Sequence, residues 1–207
     1  MNTTALRTGL ALAALASFAL VAFADVTCGF AAITSEGARR VAIERAPRAV
    51  PDIELVDSHA QRVRFADLRD AAGRVLLVSL VYTQCETICR TTASGQAWLQ
   101  RELRHRGLGE RVHLVTLSFD PARDTPAALR AYARGQRADA SLWTFATVAD
   151  PAQLDALLRT FGIVVLRDEF GGYTHNAALF RLDAQGRIDR VYDVDRPNLA
   201  LADLLRD

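Results

Sequence analysis

The chain contains no lysine: all 25 of its basic residues are arginine, set against 24 acidic residues for a net charge of +1. Both signs are spread through the sequence, so nothing resembles a basic stripe that would track a phosphate backbone, and a nucleic-acid partner is excluded as the main function. Arginine without lysine, beside abundant alanine, fits a GC-biased genome and carries no mechanism. There is no internal repeat and no low-complexity tract, which excludes a repeat architecture. Cysteine is scarce, with three residues, and so is proline, with six; both turn out to be informative through where they fall. With 207 residues and half of them hydrophobic, the chain suits one domain of ordinary size, with a sizeable core, plus a leader.

The leader is legible at the N-terminus. Arg7 supplies a positive flank, Gly9 to Ala24 is uncharged and almost wholly apolar, and Ala22-Phe23-Ala24 gives the small-x-small pattern read by signal peptidase. The run falls slightly short of the ~20 residues of a bilayer span. Residues 1–24 are therefore expected to be a signal peptide cleaved before Asp25, with a retained membrane anchor as the rival. Cys28 follows a sequence unlike a lipobox. Residues 25–50, with Gly37, Arg39-Arg40 and Pro47 but no sustained period, read as a linker to a domain over 51–207. Export places the domain in an oxidising compartment, where paired cysteines form a disulfide unless a reductant or a metal maintains them.

The most informative stretch is Val75 to Cys89, VLLVSLVYTQCETIC. Its apolar start reads as a strand buried on both faces, and Arg90 to His105 follows with helical apolar spacing. Cys85 and Cys89 thus sit where a central strand hands over to a helix, a place expected to stabilise thiolates. Two sulfurs converging there suit a dithiol/disulfide couple or a soft metal ion; the spacing alone also leaves a buried structural role open.

Further along, Ile53 to Phe65 reads as a hairpin around Asp57-Ser58-His59. Val112 to Phe119 and Leu142 to Val148 read as strands, and helices open at Thr125-Pro126 and Asp150-Pro151. Ile163 to Arg167, Ala177 to Leu182 and Ile188 to Val194 read as the last strands, the final pair joined at Ala184-Gln185-Gly186, before a helix over Asn198 to Arg206. The alternation predicts an α/β, thioredoxin-like fold: a mixed central sheet flanked by helices, with an N-terminal β-hairpin extension.

Three motifs in order, Tyr82-Thr83-x-Cys85-x-x-x-Cys89, Ser118-Phe119-Asp120-Pro121-x-x-Asp124-Thr125-Pro126, and Thr174-His175 before an apolar strand, resemble the Sco/SenC family from about Pro51 to Val194. The resemblance implies an exported, often membrane-tethered copper chaperone at the bacterial periplasm or the periplasmic face of the inner membrane. It implies copper ligation by Cys85, Cys89 and His175, principally of Cu(I) with Cu(II) as a second state. The implied partners are the copper-bearing subunit of cytochrome c oxidase or another cuproprotein, with other copper chaperones and thiol reductants. Two thiolates and an imidazole suit three-coordinate Cu(I), whereas structural zinc wants a fourth ligand; His59, His105 and His113 are read as solvated surface residues instead. No proline lies between Pro151 and Pro197, so the cis-proline of thioredoxin-type oxidoreductases is lacking and His175 stands near its place.

The chain departs from the family pattern at Glu86 and Arg90, where proline usually follows each cysteine, at Gln84 and at Thr174. Glu86 is expected to raise the thiol pKa values by like-charge repulsion. The rival function is an enzymatic one, a thiol-disulfide reductase with Cys85 as the attacking thiolate and Cys85–Cys89 as its redox dithiol, or a redox sensor using the same pair. Asp120 and Asp124 are read as loop-framing and helix-capping residues, Trp98 and Trp143 as core or groove, and Asp183, Asp189, Asp193 and Asp195 as solvent-facing.

Overall fold

The computed structural model describes residues 3–29, 32–69, 73–85 and 88–206, and the chain divides into two units, residues 1–45 and 46–207. The first unit holds helices α1 (Thr3–Val26) and α2 (Ser35–Arg45). Within α1, Arg7–Val26 is a 20-residue stretch long and apolar enough to cross a membrane, so the apolar helix runs past Ala22-Phe23-Ala24. Helix α2 lies in the segment read as a linker. Its start is held by local polar contacts rather than apolar periodicity: the Gly37 amide donates to Thr34 Oγ1, and Arg39 pairs with Glu36 one turn away.

The second unit begins with β1 (Arg48–Ala49), β2 (Glu54–Asp57), β3 (Arg62–Arg64) and the short α3 (Phe65–Arg69). Then come β4 (Val75–Val81), α4 (Ile88–His105), β5 (Val112–Ser118), α5 (Pro126–Gly135) and β6 (Trp143–Val148). A 3-10 turn over Pro151–Gln153 leads into α6 (Leu154–Phe161), followed by β7 (Val165–Arg167), β8 (Tyr173–His175), β9 (Leu179–Leu182), β10 (Arg187–Tyr192) and α7 (Pro197–Leu204). Eight strands form one mixed sheet in the order β1-β10-β9-β4-β5-β6-β2-β3. Strands β4, β5 and β6 are parallel, and the flanking pairs are antiparallel. The predicted hairpin β2–β3 extends the sheet by pairing with β6. Strand β1, inside the expected linker, pairs with β10 at the other edge. The domain therefore starts several residues before Pro51.

The central strands are apolar because both of their faces are covered: every residue of β5 is buried, as is every residue of β4 after Val75. This corrects the expectation for His113, the second residue of β5, which has 4% exposure. Its Nε2 is 2.8 Å from Thr144 Oγ1 and its Nδ1 faces Arg74 at 3.4 Å, so the ring is satisfied internally. His59 and His105 are exposed as expected. Helix α4 buries Cys89, Ala93, Gln96, Leu99, Gln100 and Leu103, one stripe at helical spacing, against the sheet. In that interface Gln96 Oε1 accepts from Ser79 and Thr116 at 2.7 Å each, and Thr116 Oγ1 accepts from the Trp143 indole at 2.9 Å. Trp143 is core, and Trp98 packs partly buried against the same cluster.

Two terminations follow from local chemistry. Gly162 closes α6 in the left-handed conformation at φ 64°, which a side chain disfavours. Thr125 caps α5 with its hydroxyl ahead of Pro126. The expectation that every tail aspartate faces solvent fails at Asp189, which clamps the buried Arg181 through both oxygens at 3.0 and 2.6 Å. Asp183 instead organises the β9–β10 turn, accepting the Gln185 and Arg187 amides at 2.9 Å.

Candidate metal centre

Strand β4 ends at Val81 and releases the chain into a loop that carries Cys85, while Cys89 is the second residue of α4. The sequence put both cysteines at the helix start; only Cys89 is inside the helix. The Cys85 amide turns back to donate to the Tyr82 carbonyl at 3.2 Å, fixing the loop beneath the sulfur. His175 arrives from elsewhere, as the last residue of β8. That strand belongs with β7 to a separate two-stranded ribbon, and no residue of it pairs with the main sheet.

The three donor atoms lie within 4.8 Å of one another. Cys89 Sγ is 3.4 Å from His175 Nε2. The other ring nitrogen, Nδ1, is 2.9 Å from the Asn176 carbonyl and donates to it. That bond places the proton on Nδ1 and turns the Nε2 lone pair toward the sulfurs, the tautomer a metal ligand needs. Burial pushes the His175 pKa down, opposed by the Asn176 bond, so the ring is neutral at physiological pH. Burial also pushes the Cys89 thiol well above its ordinary value, with the neighbouring Cys85 adding to the rise. The expectation of a stabilised thiolate at the helix start is thus reversed at Cys89, because desolvation outweighs the helix field. Exposure is 7% at Cys85 and 0% at Cys89, so Cys85 is the sulfur nearer solvent.

Rings enclose the histidine. Phe119 meets it edge-on at 4.8 Å between centroids and Tyr82 at 6.2 Å. Tyr82 in turn packs against Tyr173 at 5.2 Å, and its hydroxyl accepts the Tyr173 amide at 3.3 Å. A side chain at Gly172 would meet that hydroxyl at 3.2 Å and Asp168 Oδ2 at 2.7 Å, so glycine leaves the ribbon room to sit against Tyr82. These rings and the burial of both sulfurs limit water around the donors, which favours soft, weakly hydrated ions over hard ones.

The SCO1/SenC family model matches residues 42–207. The chain belongs to this family. Among its relatives, the SCO1 protein homologue of Bacillus subtilis is 24% identical over 144 residues, covering 69% of this chain and 74% of the relative. A SCO1/SenC family lipoprotein from Bacillus anthracis superposes with a TM-score of 0.70 at 22% identity, over 78% of this chain and 97% of the other. The copper-bound ScoI of Bradyrhizobium japonicum gives a TM-score of 0.62 at 23% identity, over 76% and 98%. The fold is the thioredoxin-like one that the SCO1/SenC resemblance implies.

The family's second motif supports the site from behind. Asp124 is fully buried, and its carboxylate accepts from the Thr83 amide, the Thr83 hydroxyl and Ser118 Oγ at 2.9, 2.6 and 2.5 Å. It does not cap α5; it ties the cysteine loop to the end of β5. Asp120 is also buried and holds Arg123, whose guanidinium lies 5.0 Å over the Tyr173 ring and donates to the Gly171 carbonyl at 2.6 Å. Asn176 was missed in the sequence, yet its side chain accepts the Val164 amide at 2.7 Å and donates to the Gly162 carbonyl at 3.1 Å, anchoring the ribbon end. Its only sequence signal is its place beside His175. Arg90 is exposed on α4, away from the buried face, and Glu86 lies outside the described residues.

Proposed function

We propose that this protein is an exported copper carrier that takes Cu(I) on Cys85 Sγ, Cys89 Sγ and His175 Nε2 and delivers it to the binuclear copper site of cytochrome c oxidase or a related cuproprotein. The observation that carries this reading is the convergence of two sulfurs and a correctly oriented imidazole within 4.8 Å, from two separate parts of the chain. Two thiolates and a neutral imidazole match a soft monovalent ion in low coordination. A copper-bound relative of the same fold lends support. The apolar α1 supports export, with residues 1–24 as signal peptide or anchor at the periplasmic face of the inner membrane.

On loading, the Cys89 proton must leave, since the buried thiol holds it at neutral pH. His175 has no proton to lose at Nε2. Release proceeds by ligand exchange, as thiols or imidazoles of the recipient replace these donors one at a time. The test is anaerobic Cu(I) titration of the reduced protein. One ion per chain is expected, with none retained at high affinity by Cys85→Ala or Cys89→Ala; equal stoichiometry in all three would refute the metal site.

A second reading, thiol-disulfide reduction of a partner, is favoured by the adjacency of the two sulfurs and the greater exposure of Cys85. His175→Ala separates the two. As a carrier the variant should lose about 30- to 1,000-fold in copper affinity and fail in oxidase assembly, while the dithiol still cycles. As a reductase it should support assembly normally.

A further inference from the structure

The loop between β5 and α5 reaches both halves of the metal centre. Asp124 ties it to the cysteine loop through Thr83. Its neighbour Arg123 reaches the other way, to the ribbon that carries His175. Arg123 Nη1 donates to the Gly171 carbonyl at 2.6 Å, and the guanidinium carbon lies 5.0 Å from the Tyr173 ring centroid and 5.9 Å from that of Tyr82. Its Nε donates to Asp120, which is buried and whose other oxygen is 3.5 Å from the Tyr173 hydroxyl. A buried carboxylate therefore aims the guanidinium at the ribbon.

The ribbon can transmit that hold. Asp168 Oδ1 accepts the Phe170 and Gly172 amides at 2.9 and 2.7 Å, and the Asp168 amide donates to the Gly172 carbonyl at 3.1 Å. The turn over residues 168–172 is thus closed on itself. It presents the Gly171 carbonyl to Arg123 and leads directly into β8, which ends at His175. Among the described residues no ladder joins β8 to the main sheet, so its seat against Tyr82 and Phe119 rests on side-chain contacts. Arg123 supplies the charged one. Its Nη2 is shielded from solvent and has no acceptor among the described residues. A covered donor without a partner opposes the closed arrangement, so the grip is one that can be released.

We infer that Arg123 is a positioning residue of the metal centre: it seats the β7–β8 ribbon so that His175 Nε2 stays within reach of the two sulfurs, and its release frees the imidazole. The inference rests on the copper reading of that site and adds to it the residue that governs one of its three donors.

Hydrogen exchange on the reduced, metal-free, full-length chain tests it, with Arg123→Ala and Arg123→Lys beside the wild type. Arg123→Ala also strips buried Asp120 of its cation. Arg123→Lys keeps the charge and loses the planar fork, so it serves as the second variant if the first fails to fold. Amides of β8 should exchange about tenfold faster in Arg123→Ala and about threefold faster in Arg123→Lys, with β4 amides unchanged. Anaerobic competition for Cu(I) should show an affinity about three- to tenfold lower in Arg123→Ala and partly restored in Arg123→Lys. The Cys85–Cys89 reduction potential should stay at its wild-type value in both. Acceleration shared equally by β4 and β8 would make Arg123 merely structural and overturn the inference. Wild-type exchange in β8, or an undiminished copper affinity beside a faster ribbon, would overturn it as well. A wild-type protein that binds no copper would refute the copper reading; faster exchange confined to β8 would then still identify Arg123 as the residue that seats the ribbon.

Discussion

Thr83 gives both its backbone amide and its hydroxyl to the carboxylate of Asp124, at 2.9 and 2.6 Å. The contact joins the loop that presents Cys85 to the loop that follows β5, and Ser118 closes it from the strand end. A carboxylate with no exposure survives in the interior because three donors replace its water. The arrangement makes the position of the sulfurs depend on a residue that touches neither.

Asp124→Ala should therefore destabilise the domain by about 3 kcal/mol, since it strands two hydroxyls and an amide in a dry site. Asp124→Asn, which keeps the shape and part of the acceptor capacity, should cost about half as much. Urea unfolding of the reduced proteins measures both. Equal stability of Asp124→Ala and wild type would remove Asp124 from the support of the site.

The ribbon carrying His175 is pegged at Tyr82 and at Asn176. Asn176→Ala frees the Val164 amide and the Gly162 carbonyl while leaving both sulfurs in place. Copper affinity should fall about fivefold to tenfold, on the order of 1 kcal/mol, with an unchanged Cys85–Cys89 reduction potential. Parallel measurement of affinity and potential checks this; a shifted potential at constant affinity would contradict it.

Copper affinity should rise with pH. Burial raises the Cys89 thiol above its ordinary value, so that group stays protonated through neutrality and its proton competes with the metal. Burial lowers His175, so the imidazole offers no such competition above the usual histidine range. The expected slope from pH 6 to 8 is about tenfold per unit for each proton displaced, read by competition with a chromophoric Cu(I) chelator. A flat profile would mean the thiols are already ionised.

Processing at the N-terminus is checked by intact mass. Ala22-Phe23-Ala24 predicts a mature chain beginning at Asp25. Recovery of only full-length protein from membranes would establish α1, with its 20-residue apolar stretch, as an anchor.

Much of this was legible in the sequence because apolar runs are unambiguous when both faces of a strand are buried. The strand from Val75 and the helix after Cys89 could be read this way, while the partnership of Cys85, Cys89 and His175 came from the resemblance to the Sco/SenC motifs. What escaped was held by polar contacts that leave no periodic trace. Helix α2 rests on Thr34 and the Glu36–Arg39 pair, Asn176 acts through backbone groups at Gly162 and Val164, and His113 is buried because Thr144 satisfies it across the sheet. The aspartates of the second motif could be read as loop formers, but their service to Thr83 and Arg123 depends on long-range placement. The helix-start argument for a stabilised thiolate failed at Cys89 because the helix start was visible and the burial was not.

Among the described residues, the two-stranded ribbon β7–β8 shares no backbone ladder with the eight-stranded sheet. Hydrogen exchange should accordingly find two clocks in the metal centre: slow at the β4 amides, which open only with the whole domain, and fast at β8. Cys89, in α4 against the sheet, goes with the first clock and the imidazole with the second. Of the three donors, the imidazole is then the one that local opening of the ribbon releases, so substitutions that merely strengthen the core should raise the melting temperature without slowing that exchange of ligand.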